Sequence, residues 1–309
     1  MELTQIYNKN FYGKPAGSNP SAEEILSYVD TLLHPKSVID VGCGVGSWLK
    51  AWQDINPNIA IAGIDGNEVV SQFPYISSES YKQVDLTQNY QITLQEVCKT
   101  FSNVIDSSSK NALGGGAENN TIENKIDSSA LDSANSKYST QSKDSKPQKP
   151  FALAQSIEVA EHLYAQYAQN LIDLLTSLSD IVLFSAAIPY QGGTHHVNEQ
   201  PPIYWAKLFA KKDFVCFDIL RDRFWENTKI APCYRQNMMI YVHKSKIDMF
   251  KDFSPTTNPL YIIHPGYWGT YTWMWPNHNP PCDIMLYLKL RTLVRRPIGK
   301  LLRALKLRK

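Results

Sequence analysis

Two histidines stand side by side, His195 and His196, in the run P-Y-Q-G-G-T-H-H-V-N-E-Q-P-P over residues 189–202. Glycines and prolines bound the run, so it reads as a loop, and it follows an apolar segment that reads as a strand. Imidazoles placed there can take a proton near neutral pH or ligate a metal. The same pattern fits a pair that only holds backbone carbonyls. Upstream, I-E-V-A-E-H-L covers residues 157–163 and spaces Glu158, Glu161 and His162 as i, i+3, i+4. On a helix that spacing puts all three near one face. It also fits an acid and an imidazole that merely orient the helix by hydrogen bonds.

A third constellation is D-V-G-C-G-V-G, from Asp40 to Gly46. Glycines at 42, 44 and 46 allow positive φ and a close approach of backbone to ligand. The helix start that follows aims free N–H groups at whatever lies above. The dinucleotide fingerprint G-x-G-x-x-G would require a third glycine where this chain has Ser47. Asp40, two residues before the first glycine, suits a ligand with an ammonium group and no pyrophosphate. Asp65, 25 residues past Asp40, closes a second apolar run, I-A-I-A-G-I-D. A carboxylate there can accept two hydrogen bonds from a ribose diol; it could equally cap the next helix.

The elements that must position these residues alternate in type. Ser21 to Leu33 reads as a helix with Ser21 as N-cap, Glu24 three residues on and an Ile25, Leu26, Val29, Leu32, Leu33 face, ended by Pro35. Strands are expected at 37–41, 59–65, 81–86, 151–156, 180–188, 214–220 and 238–243. Helices follow the glycine turn (Trp48, Leu49, Trp52), run through Leu171, Leu174, Leu175 and Leu178, and restart at Ile203 to Phe209. The pattern predicts an α/β fold: a Rossmann-like, doubly wound, seven-stranded and mostly parallel sheet with ligands outside the carboxyl ends of the strands.

Residues 102–150 break this pattern. They are rich in Ser, Asn, Lys, Asp and Gly and hold one aromatic, Tyr138. Such a stretch lacks the apolar surface to offset its ordering entropy, so a disordered insertion is expected there. It enters the fourth strand at its amino end, remote from the ligand face. The expected domain is therefore in two parts, 1–101 and 151–243, followed by an extension, 244–309, with Tyr267, Trp268, Tyr271, Trp273 and Trp275 and a basic tail. Nine of the 31 Lys and Arg residues follow Asp283 with no acid among them, leaving 22 basic against 29 acidic groups in residues 1–283. The main body is thus mildly acidic, which argues against a nucleic-acid partner. In residues 287–309, Ile298, Leu301, Leu302 and Leu305 form a stripe among cations, fit for peripheral contact with an anionic membrane or for docking on the body. Five scattered cysteines suggest neither a disulfide framework nor a zinc ribbon. With no leader pattern and no apolar run of about 20 residues, the expected location is cytoplasmic, membrane-peripheral if the tail engages lipid.

The D-V-G-C-G-V-G turn resembles motif I of class I S-adenosylmethionine-dependent methyltransferases. S-I-E-V-A-E-H resembles the segment after their fourth strand in many small-molecule members, the ubiquinone-pathway O-methyltransferases among them. The H-H-V-N-E loop with Y-R-Q-N (residues 234–237) is similar to methyltransferase-domain proteins of bacterial surface-polysaccharide clusters. The likeness covers residues 20–243 without the insertion. It implies S-adenosylmethionine as cofactor, bound by Asp40, Gly42, Cys43, Gly44, Gly46, Asp65, Gly66, Asp85, Leu86 and Glu158, with Asp85 and Leu86 at the adenine edge. It implies a base among His196, His195 and His162. In some relatives the acid–acid–histidine trio holds a divalent metal, but no metal ligand is assigned to this chain from its sequence. The expected acceptor is a small molecule: a sugar or glycan hydroxyl first, a quinone-precursor phenol second. A non-catalytic module of the same fold within an assembly is the alternative of a different class.

Overall fold

The computed structural model describes residues 20–67, 75–105 and 149–267. Seven strands form one sheet: β1 (Ser37–Val41), β2 (Ala60–Asp65), β3 (Tyr81–Gln83), β4 (Leu153–Ile157), β5 (Ile181–Ser185), β6 (Phe214–Phe217) and β7 (Met239–His243). Their order is β3-β2-β1-β4-β5-β7-β6, and β7 runs antiparallel to both its neighbours. The order reverses between β1 and β4, so the crevice above their carboxyl ends is the switch point where such sheets take ligands.

Strands β1, β4 and β5 are buried at every residue. That follows from cover on both faces, which leaves no side for polar alternation. On one face lie α1 (Pro20–Leu33), α2 (Ser47–Ile55) and α6 (Ile219–Phe224), through Ile25, Leu26, Val29, Trp48, Leu49, Trp52, Leu220 and Phe224. On the other lie α3 (Tyr90–Thr100), α4 (Ala168–Leu178) and α5 (Pro202–Ala210), through Val97, Leu171, Leu175, Leu178, Trp205 and Phe209. A short helix, α7 (Pro232–Asn237), precedes β7.

Several sequence expectations need correction. Ser21 lies one residue inside α1 rather than before it, and its Oγ accepts a hydrogen bond from the Ala231 amide at 3.0 Å. Glu24 reaches across to Lys229 and Asn227. The third strand stops at Gln83, not Leu86, because Asp85 accepts hydrogen bonds from the Thr87 amide and hydroxyl and turns the chain. The sixth ends at Phe217, where α6 begins one residue after Asp218. The helix expected to carry Glu158, Glu161 and His162 on one face is absent. Glu158 sits at φ 54°, a left-handed conformation that has no place within a right-handed α-helix, and a single 3-10 turn, Ala160–His162, follows. The chain is helical over 102–105, the first residues of the stretch read as an insertion. Residues 106–148 lie outside the described residues, as do Trp268, Tyr271, Trp273, Trp275 and the basic tail.

The start of β4 sits where expected, at the amino end of the sheet: the Ala152 amide donates to Ser37 Oγ, at the first residue of β1. No helix among the described residues is long and apolar enough to cross a membrane.

Candidate active site

The glycine turn and the acid closing β2 converge. The Gly42 and Cys43 amides donate to the Ile64 carbonyl at 2.8 and 3.1 Å, which folds the turn over the end of β2. The Gly44 amide donates to Asp65 Oδ2 at 2.8 Å, and the Asn67 amide to Oδ1 at 2.9 Å. Gly42 must be glycine on two counts. Its φ is 83°, and a Cβ would stand 2.5 Å from a methyl of Val159. The same contact brings the turn against the segment that carries Glu158 and Glu161.

Asp40 lies beneath the turn, 2% exposed, with Gly63 and Gln155 as its cross-strand neighbours. Burial pushes its carboxyl up to about 7; the Gln155 amide opposes this and the Asp65 charge adds to it. Gln155 is itself held by Trp52, whose Nε1–H donates to Gln155 Oε1 at 2.9 Å. Burial likewise raises Asp65, against the three amides of Asn67, Gly44 and Gly66. Two buried carboxyls with no cation beside them among the described residues favour a positively charged ligand. Cys43 is buried below the turn, and a Cβ on Gly63 would meet its sulfur. Gly46, at φ 82°, closes the turn. Gly66 and Asp85 are exposed and Leu86 is buried; the Gly66 carbonyl accepts from Gln83 at 3.0 Å.

The acids and histidines gather beyond Val159. The His162 and His196 rings meet edge to face, centroids 4.9 Å apart. His162 Nδ1 lies 3.3 Å from the His195 carbonyl. A carbonyl only accepts, so Nδ1 carries the proton and, in the neutral ring, the lone pair is on Nε2. Burial drives His162 down to about 4, helped by the His196 ring and opposed by the His195 and Thr194 carbonyls. His196 Nδ1 lies 2.9 Å from Glu199 Oε1, so it too donates from Nδ1. His195, at φ 57°, contributes its carbonyl to this cluster.

Glu158 accepts from Asn237 at 3.0 and 3.2 Å and from Gln191 at 3.1 Å, and its amide donates to Ser185. Burial raises its carboxyl, with the Asn237 and Gln191 amides pulling the other way. Glu161 is 0% exposed, and neither carboxylate oxygen has a hydrogen-bond partner among the described residues. Burial, then the Glu158 charge, lifts its carboxyl well above the usual range; its own amide and that of Ala187 oppose this from outside hydrogen-bonding geometry.

Sequence reasoning missed four residues here: Glu199, Gln191, Gln236 and Asn237. Glu199 anchors the loop, accepting from the Tyr190 and Gly192 amides at 2.7 Å each as well as from His196. Gln236 donates to Gln191, and its carbonyl oxygen accepts from the His264 amide at 2.7 Å. The available signal was the Y-R-Q-N segment: three consecutive polar residues, Arg235, Gln236 and Asn237, are all buried in α7.

The seven-stranded order with its single reversed strand is a Rossmann-like, doubly wound α/β arrangement. No family model matches the chain, and no curated protein does. Solved structures similar to it in fold include methyltransferases. The methyltransferase domain of bacterial CtHen1-C is 15% identical at TM-score 0.41, over 74% of this chain and 99% of that one. A SAM-dependent methyltransferase from Archaeoglobus fulgidus is 13% identical at TM-score 0.39, over 70% of this chain and 77% of that one. Human N-acetylserotonin methyltransferase, solved with SAM, is 11% identical at TM-score 0.41, over 72% of this chain and 51% of that one.

Proposed function

We propose that this chain is an S-adenosylmethionine-dependent methyltransferase that methylates a hydroxyl of a small-molecule acceptor, a sugar or glycan precursor. The observation that carries the reading is the meeting of the glycine turn with Asp65 through the 2.8 Å bond from the Gly44 amide. It sets a carboxylate suited to a ribose diol beside a turn suited to the rest of a nucleoside. Asp40 and Asp65, buried with no cation beside them among the described residues, suit a donor bearing ammonium and sulfonium charge.

When bound, the donor supplies a methyl group already activated on a positive sulfur, so the protein's main tasks are placement and exclusion of water. Gly42, Gly44, Asp40 and Asp65 would hold the donor, with Cys43, Gly46 and Gly66 shaping the turn. Leu86 would flank the adenine; Asp85, exposed and committed to its own turn, supports that edge only through Thr87. The acceptor hydroxyl must lose its proton at or before attack. His196 is the best-placed base: Glu199 ties down Nδ1–H and leaves Nε2 for the cluster shared with His162 and Glu161. Tyr190 and Tyr261 expose aromatic surface beside Pro189, suited to stacking on a sugar ring.

Calorimetry with S-adenosylhomocysteine beside NAD tests the donor assignment. Binding of the first alone, lost in Asp65→Ala, is expected; equal affinity for both, or no loss in the variant, overturns it. Labelled-methyl transfer onto nucleotide sugars beside catechols then tests the acceptor, and transfer to the catechols alone would replace the sugar assignment with the phenol.

A further inference from the structure

Three buried side-chain amides join one backbone N–H to a carboxylate. The N–H is that of His264, in the stretch after β7, and it donates to Gln236 Oε1 at 2.7 Å. Gln236 Nε2 faces the other way and donates to Gln191 Oε1 at 3.0 Å and Asn237 Oδ1 at 3.2 Å. Asn237 Nδ2 donates to Gln191 Oε1 at 2.9 Å and to both oxygens of Glu158. Gln191 Nε2 completes the set with a bond to Glu158 Oε2 at 3.1 Å. A side-chain amide can turn end for end without changing shape, so something has to fix which end meets Glu158. A backbone N–H only donates, so Gln236 must show it oxygen. That leaves the Gln236 NH2 for Gln191 and Asn237, which must show oxygen in return and keep their own NH2 groups for Glu158. Reversed at Gln236, the same chain would set two amide oxygens against a carboxylate, which is costly away from water. The anchor is itself held. His264 Nε2 lies 2.9 Å from the Trp225 carbonyl and Nδ1 accepts from the Gly266 amide at 2.9 Å, so the ring carries its proton on Nε2 and both nitrogens are used.

We propose that Gln236 is a positioning residue: anchored on the His264 backbone, it fixes the polarity of the Gln191 and Asn237 amides and so makes Glu158 a group that can only accept. Gln236 touches no ligand in this role. It is fully buried, and no direct hydrogen bond joins it to Glu158. Its influence passes through two other side chains, drawn from the loop after β5 and from α7. The stretch after β7 thereby becomes part of the site, although it lies outside the sheet. Glu158 is partly exposed, and its neighbour Val159 lies against Gly42 of the glycine turn. A ligand group that meets it must donate, so an ammonium or a hydroxyl fits and an anion does not. One part rests on the methyl-transfer reading: the negative charge held at Glu158 adds to that of Asp40 and Asp65 in attracting a cationic donor.

The test is a double-mutant cycle on the full chain, read by Tm. Gln236→Met keeps the bulk and removes the anchor; it should lower Tm by roughly 3–10 °C, the cost of stranding the His264 amide and freeing the other two amides. With the anchor gone those amides can turn to suit a neutral partner, so Glu158→Gln should cost less beside Gln236→Met than alone. The double variant should therefore keep about 2 °C or more above the sum of the single losses. A role in packing alone gives additive losses, and additivity overturns the relay. Should Gln236→Met not fold, side-chain amide NMR of the wild type and Glu158→Gln decides the matter. The Gln236 NH2 signals should shift on the change at Glu158, although the two share no hydrogen bond; unmoved signals overturn the relay. Calorimetry with S-adenosylhomocysteine separates the two ideas. Gln236→Met should weaken its binding roughly two- to tenfold. Coupling in the cycle with unchanged affinity in the variant removes the part played in donor binding. Coupling with no binding even to the wild type leaves the relay standing and sinks the methyl-transfer reading.

Discussion

Gly42→Ala is the sharpest probe of the junction between the glycine turn and the acid–histidine segment. A side chain at φ 83° costs roughly 1–2 kcal/mol of backbone strain. The new Cβ would also stand 2.5 and 2.6 Å from the two Val159 methyls, closer than real contacts allow. Val159 packs against the core and cannot simply swing away, so overpacking adds about 1–3 kcal/mol. The single variant should lose about 2–5 kcal/mol. Val159→Ala alone should lose about 1.5 kcal/mol, for two methyl groups. In the double variant the two methyl clashes are gone, while the backbone strain and a 3.1 Å contact with the Cβ of residue 159 remain, so the two changes should couple by about 1–3 kcal/mol in the favourable direction. Urea unfolding of the four proteins measures this. Additivity within about 0.5 kcal/mol would mean the turn does not press on Val159, and the placement of the donor crevice beside Glu158 would fall with it.

Three further outcomes are expected. Asp40 prefers its proton in the folded protein up to about pH 7, against 3.8 for its ordinary value. The stability this proton provides is intact below about pH 4, falls as pH rises, and is gone above about pH 7; roughly 4 kcal/mol is the ceiling. Asp65 shifts the same way, so Asp40→Asn should flatten the pH dependence of the urea midpoint across that window without removing it; a wild-type slope in the variant would refute the assignment. Arg221→Leu should cost about 3–5 kcal/mol, because it strands Asp218 and the carbonyls of Gln236 and Leu260 that the buried guanidinium holds, and thermal unfolding reads it. Glu199→Gln should cut methyl transfer roughly 10- to 100-fold while S-adenosylhomocysteine affinity stays level, since Glu199 orients His196 and lies apart from the glycine turn.

The sheet was legible because its central strands, β1, β4 and β5, are buried on both faces and lie within largely apolar runs. The glycine turn and Asp65 were legible because glycine spacing and a strand-end acid are local signals. The ends of strands were less so: Asp85 looks like a strand-end acid but turns the chain by binding Thr87. The Glu158–His162 spacing pointed to the right neighbours for the wrong reason. An i, i+3, i+4 pattern implies a helix, yet the left-handed Glu158 and one tight turn bring Glu161 and His162 together instead. His196 joins them only through pairing across 34 residues, and Asn237 reaches Glu158 from α7 across 79 residues. No local pattern encodes such contacts. Glu199 could have been read as the carboxylate three residues after His196, but spacing alone does not say which residue orients which.

The sheet also divides by chain order. Strands β1 to β3 all come before residue 106 and β4 to β7 all after 148, so one seam, β1 against β4, separates two contiguous stretches of polypeptide. The donor crevice straddles that seam, with the glycine turn contributed from one side and Val159 from the other. Fragments ending at 105 and starting at 149 are therefore natural partners for complementation, and a ligand lodged in the crevice would act as their glue. Reassembly strengthened by S-adenosylhomocysteine would make the split chain a two-piece reporter for the proposed donor.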